Sequence, residues 1–192
     1  MNRFSTLACL ALLAGCTASA RGEWPLPQAS LRPTPLHFGL YVTPDPAQNP
    51  IDPPERFTGY HAATDFEIFR GEVHSEIPVY AICTGPVLFS GFSEGYGGLL
   101  TQRCILDGEP VHVIYGHLEV ASLPGEQQDI GKGESIGVLG AAHTNDTDQN
   151  RKHLHLGIRK GDVSDVRGYV EYPEELQLFI DPQTVLGTGR LE

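Results

Sequence analysis

The 192-residue chain is poor in basic side chains: 13 lysines and arginines stand against 24 aspartates and glutamates, a formal charge of −11. That shortage excludes duplex nucleic acid as a partner, because holding the phosphate backbone requires a basic face that displaces counterions. Acidity of this degree otherwise serves solubility. Helical periodicity is scarce, and there is no internal repeat, heptad pattern or low-complexity tract. An α/β fold with repeated helical crossovers is thereby excluded. The N-terminal apolar run, Leu7 to Ala14, is too short to span a bilayer comfortably, so a transmembrane anchor is not expected. No Cys-x-x-Cys occurs, which rules out a four-cysteine zinc site.

What is present points to a turn-rich β protein: 22 glycines and 15 prolines, with short runs of strand character between them. The strand candidates are 64–69, 77–83, 86–91, 98–106, 111–117, 135–139 and 153–159, and a first strand is expected within Leu36 to Thr43. Asp107-Gly108 has the composition of a hairpin turn. A short helical turn is expected around Pro173 to Leu178. The fold class read from this pattern is mostly β: a compact antiparallel sandwich or barrel-like domain with few short helices.

The first 20 residues read as a signal peptide, with Arg3 as the positive n-region followed by the apolar run. Leu13-Ala14-Gly15-Cys16 has the form of a bacterial lipobox, in which Cys16 becomes the first residue and carries lipid; the alternative is cleavage after Ala18-Ser19-Ala20. On either reading the mature chain is exported, either lipid-anchored in the cell envelope or secreted, with no membrane attachment beyond that anchor. Residues 21–35, rich in proline, are expected to form an extended tether, 36–187 the folded domain and 188–192 a tail. Once Cys9 and Cys16 are set aside, Cys83 and Cys104 remain. An oxidising compartment permits a bridge between them; the alternative is two buried thiols.

The eight histidines carry the chemistry. His153 and His155 sit two apart in a strand-like run, so their rings project from one face while Leu154 and Leu156 point to the other. One imidazole can then bind a metal while its neighbour acts on a substrate; the alternative is a surface strand with two solvated rings. His61 and Asp65 form a His-x-x-x-Asp spacing that follows a turn and enters the apolar run Phe66 to Phe69. A carboxylate inside a strand is costly to bury without a cation. Imidazole and carboxylate together are the ligands a hydrolytic zinc site uses, three of them with water in the fourth place. His117 ends another strand-like run. No His-Glu-x-x-His is present, which excludes a helical zinc protease with a glutamate base.

Taken in order, Gly59-x-His61-x-x-x-Asp65, Tyr115-x-His117-Leu118 and His153-Leu154-His155 resemble the lysostaphin/LytM-type zinc endopeptidases. Ile77 to Ala81, Gly85-Pro86-Val87, Gly95 to Gly98 and Gly131 to Gly137 resemble the pieces between, so the likeness runs from Phe57 to Arg159. The resemblance implies one zinc ion held by His61, Asp65 and His155, with His117 and His153 flanking it as catalytic groups, under a narrow groove. It implies peptide cross-links or stem peptides of peptidoglycan as substrate.

Two departures stand out. Ala63 replaces a usual glycine, and residues 140–152 replace a shorter loop that ends in Gly-Pro before the histidine pair. The loop borders the groove, so substrate choice is expected to differ there. His143 within it is either a substrate contact or a solvated residue, and His37, His74 and His112 are read as structural or surface. Two other functions compete with a wall endopeptidase: a non-catalytic envelope module of this fold that regulates an amidase, and an endopeptidase acting on a protein outside the wall. Degenerate relatives of the first kind lose metal ligands, and this chain retains them.

Overall fold

The computed structural model describes residues 24–192. The signal peptide, the lipobox and Cys16 lie outside the described residues. Eleven strands and five short 3-10 helices make up the described fold, and every strand pairing is antiparallel. The central sheet has the order β3 (Ala63–Glu67), β10 (His153–Lys160), β7 (Glu109–Leu118), β6 (Gly97–Leu106), β5 (Gly85–Ser93) and β8 (Asp129–Ile130). A three-stranded sheet orders β1 (Tyr41–Val42), β2 (Gly59–His61) and β11 (Tyr169–Val170), and β4 (Pro78–Tyr80) pairs with β9 (Ser135–Val138). Among the described residues no helix is long and apolar enough to cross a membrane.

Period-two alternation assigns the two faces of the central sheet. Phe66 on β3, Leu154, Leu156 and Ile158 on β10, Val111, Val113 and Tyr115 on β7, and Leu100 and Cys104 on β6 enter one hydrophobic core. The opposite face carries Asp65 and Glu67, His153 and His155, and Ile114 and Gly116 in register: His155 lies opposite Asp65 on one side and Gly116 on the other. Ala63 faces Gly157, so the extra methyl group meets the one residue on that strand with no side chain.

Seven of the strand candidates correspond to β3, β4, β5, β6, β7, β9 and β10, and the turn near Pro173 is a 3-10 helix over Pro173–Leu178. The expected first strand shrinks to Tyr41–Val42. The tether is a correction for residues 24–35. Leu26 and Ala29 are buried in the main core, Trp24 packs against it, and Arg32 pairs with Glu72 under Phe69. Prolines cannot donate to a strand, but carbonyls of this proline-rich segment can accept, and they finish an edge: Glu67 N–H donates to Pro33 O and Asp65 N–H to the neighbouring Leu36 O. The packed unit therefore starts no later than Trp24. The tail is corrected in the same way, since Leu191 is buried against Leu106 and Thr84 N–H donates to Glu192 O.

Cys83 and Cys104 form a disulfide with Cα atoms 5.9 Å apart, both buried in the core. It closes a loop with a sequence separation of 21. The loop-entropy argument gives such a bridge about 3 kcal/mol of stability. Urea unfolding of the Cys83→Ala/Cys104→Ala double variant is expected to show a loss of that order, and an unchanged midpoint would mean that the bridge contributes nothing.

Candidate metal centre

His61 closes β2, Ala62 turns the chain, and Asp65 stands inside β3, whose pairing with β10 brings His155 directly across. His61 Nε2 lies 3.3 Å from both Asp65 Oδ1 and His155 Nδ1, and His155 Nδ1 lies 3.0 Å from Asp65 Oδ1. All three side chains are buried. Ligands bound to one tetrahedral ion at about 2.0–2.1 Å stand about 3.3 Å apart, so this triangle has the size that such an ion requires. The donors, two imidazoles and a carboxylate, suit a borderline divalent metal. The residues present fit the group.

The other two histidines reach the same face by different routes. His153 gets there by strand alternation. Its ring Nδ1–H donates to Arg151 O at 3.0 Å, which leaves Nε2 facing Asp65 Oδ2 at 3.2 Å. His117 has the wrong parity, because Val113 and Tyr115 point into the core. A β-bulge corrects it: β6 and β7 slip register between Gly98 and Leu99, and His117 adopts φ 65. That left-handed conformation is uncommon for a side chain and costs energy, and bulges of this kind re-aim residues at active sites. The ring is turned out of the core to lie 4.3 Å, centroid to centroid, from His153. Gly116 is needed beside it, since a Cβ there would come within 2.5 Å of the Tyr96 ring that packs against His155.

Burial lowers the proton affinity of His117 well below the ordinary value, helped by the charges of His153 and His155. Burial also lowers His155, with the Asp65 hydrogen bond opposing it. Burial alone would raise Asp65, but His153 and His61 overcome it and hold the carboxyl well below its usual range. At neutral pH His117 and His155 are therefore neutral and Asp65 is ionised. Arg151 completes the electrostatics. Its Nη2 donates to Asp65 Oδ2 at 2.8 Å and to Glu67 Oε1 at 2.6 Å, and its Nη1 pairs with Glu55. Glu55, Asp65 and His153 form a second buried group of metal-ligand atoms. The Arg151 guanidinium bridges two of them and already supplies the cation there.

Asp65, His117, His153 and His155 line a groove of about 750 Å³, with Tyr96, Phe57 and Tyr169 in its walls, and His61 lies behind it, fully buried. Tyr169 stacks on Phe57 at 5.3 Å and lies 5.0 Å from His61. The loop 140–152 borders this groove through Asn150, and its Asp148 pairs with Arg56 and accepts from Gly95 N–H. His143 is exposed, its Nδ1 bonded to Gln149 O within its own loop, and it does not line the groove. His37 and His74 are exposed, and His112 pairs with Asp162 on the far part of the sheet.

Sequence reasoning missed Arg151, Glu67, Glu55 and the two tyrosines as members of the site. For the first two a signal existed. The alternation that aligned His153 with His155 puts Arg151 on the same face two residues earlier, and likewise Glu67 two residues after Asp65. Glu55 comes from an irregular segment with no periodic signal.

The model of peptidase family M23 matches residues 59–166. No curated protein matches the chain. Similar solved structures include Csd3 of Helicobacter pylori, at 18% identity and TM-score 0.52, with 88% of this chain covering 35% of that one. Another is cbpa of L. salivarius REN, at 18% identity and TM-score 0.53, covering 88% and 97%. Lysostaphin, the antimicrobial peptidase of Staphylococcus simulans, aligns at 20% identity and TM-score 0.49, covering 81% and 52%. At these identities the likeness to the first two is one of fold. The chain spans about a third of the length of the Helicobacter pylori protein.

The buried neutral histidines give the metal-free protein a signed pH dependence. Below the ordinary histidine value of 6.5 the unfolded chain binds protons that folded His117 and His155 refuse, so stability falls as pH drops. Thermal unfolding in chelator is expected to show a midpoint that declines from about pH 7.5 to about pH 5.5. A flat or rising profile over that window would contradict the neutral assignment.

Proposed function

The chain belongs to peptidase family M23, and from that premise we propose that it is a zinc-dependent endopeptidase hydrolysing peptide cross-links or stem peptides of bacterial peptidoglycan. The observation that carries this reading is the triangle of His61 Nε2, Asp65 Oδ1 and His155 Nδ1, with sides of 3.0 and 3.3 Å, at the base of an open groove. Two imidazoles and a carboxylate would hold the zinc. Bound there, zinc supplies Lewis acidity, polarising a peptide carbonyl and acidifying water.

The protein's own residues divide the remaining work. His117 is kept neutral by burial, and its Nδ1 is enclosed without a partner, which leaves Nε2 as the nitrogen that can face the groove. A neutral imidazole in that place accepts a proton from the attacking water. His153, its tautomer fixed by the bond to Arg151 O, stands against His117 and can take part in returning the proton to the leaving amine. Phe57, Tyr96 and Tyr169 shape the groove and restrict water. The retention of all five side chains favours catalysis over a purely regulatory module. Export and lipid anchoring through Cys16 belong to the same proposal and rest on the sequence of residues 1–20.

The test is release of muropeptides from purified cell walls, alongside cleavage of glycine-rich peptides, cross-linked stem peptides and an elastin-like protein. Wild-type protein is expected to release new free amines from wall substrates. His117→Ala is expected to keep one zinc per chain and lose about 100-fold or more in kcat, whereas His155→Ala loses the metal. Stoichiometric zinc with no turnover on walls of several chemistries would contradict the proposal, and so would full turnover in His117→Ala.

A further inference from the structure

Three carboxylates, not one, surround the metal cradle. Besides Asp65, Glu55 is buried within ligand reach of Asp65 and His153, and Glu67 shares the same sheet face. Left to itself, such a set would not give a clean three-ligand site. Asp65 could offer both oxygens to the ion, and Glu55 could swing into the place a hydrolytic site must keep open for water and substrate. One side chain contacts all three carboxylates: Arg151, itself largely buried, with Nη2 on Asp65 Oδ2 at 2.8 Å and on Glu67 Oε1 at 2.6 Å, Nε on Glu67 Oε1 at 2.9 Å, and Nη1 on Glu55. Asn150 Nδ2 adds two bonds of 3.1 Å to Glu55 from the same loop.

We propose that Arg151 is a positioning residue that sorts these carboxylates, pinning Oδ2 of Asp65 so that Oδ1 alone serves the metal, and holding Glu55 away from the open ligand place. The proposal rests on the metallopeptidase reading above. Charge supports it: Asp65, Glu55 and Glu67 carry three negative charges, Arg151 offsets one, and one divalent ion offsets the other two. Geometry supports it as well. A guanidinium presents several donors in a rigid plane and can engage three carboxylates at once, whereas a lysine ammonium is a flexible point charge. The arginine stands where the family resemblance led one to expect Gly-Pro, so the sorting belongs to this chain's altered 140–152 loop. The carbonyl that fixes His153 is the backbone of Arg151, so side-chain substitution leaves that bond in place.

Cobalt(II) in place of zinc gives a readout independent of turnover, because four-coordinate cobalt absorbs visible light much more strongly than five- or six-coordinate cobalt. In the full chain, wild-type protein is expected to show the intense four-coordinate spectrum. Arg151→Lys keeps the charge and loses the planar fork. It is expected to retain cobalt, weaken the spectrum severalfold, and reduce kcat on wall peptides at least tenfold with KM within about twofold. Arg151→Met is expected to weaken the spectrum further, and adding Glu55→Gln to it is expected to restore part of the intensity, the rest staying lost because Oδ2 of Asp65 is still unpinned. A wild-type spectrum and kcat in Arg151→Lys would overturn the proposal, as would an Arg151→Met/Glu55→Gln double variant no more four-coordinate than Arg151→Met. A wild-type protein that takes up no cobalt would instead defeat the metallopeptidase reading itself.

Discussion

Two imidazole nitrogens and one carboxylate oxygen converge to within 3.0–3.3 Å of one another in a buried position. Polar atoms held that close in a dry interior need a proton or a metal cation between them. The surrounding fold is arranged to make the convergence unavoidable. The β3–β10 register sets His155 opposite Asp65, the turn at Ala62 brings His61 over both, and β11 backs His61 through Tyr169. The proline-rich segment closes the outer edge of β3 by accepting from Asp65 and Glu67 N–H groups, so the ligand strand does not fray. The cradle is therefore built into sheet pairing, which is more rigid than a loop-borne site.

Around that point the protein divides its polar groups by charge state. Burial keeps His117 and His155 neutral, while Asp65 stays ionised because its neighbours outweigh its burial. His117 owes its place to a local expense of backbone conformation, the left-handed bulge at the end of β7. Strain at that residue, and not in the core around it, is what a site that positions a proton acceptor would show. The net charge of −11 sits awkwardly with an enzyme of an anionic wall, and the lipid anchor proposed from the sequence would make long-range attraction unnecessary by holding the domain near its substrate.

Much of this was legible before any coordinates. The His-x-His alternation correctly placed both rings on one face, the strand runs correspond to β3 to β7, β9 and β10, and Cys83 pairs with Cys104. The parts that were not legible share a cause. His117 read as the end of a strand, and nothing in Tyr115 to Leu118 announces a bulge that reverses its direction. Residues 24–35 look like a tether because prolines cannot donate, yet their carbonyls and the side chains of Leu26 and Ala29 are what the core uses. Glu55 comes from an irregular segment, where neither periodicity exists to assign a face. Arg151 was within reach of the alternation argument and was passed over because it stood in a loop.

The proposed centre is a single zinc ion held by His61, Asp65 and His155. X-ray absorption at the zinc edge of the purified protein tests it directly. The account predicts a first shell of about four nitrogen or oxygen atoms at about 2.0–2.1 Å, two of them from imidazole, with no sulfur. A sulfur-containing or six-coordinate shell, or protein purified in zinc that carries none, would contradict it.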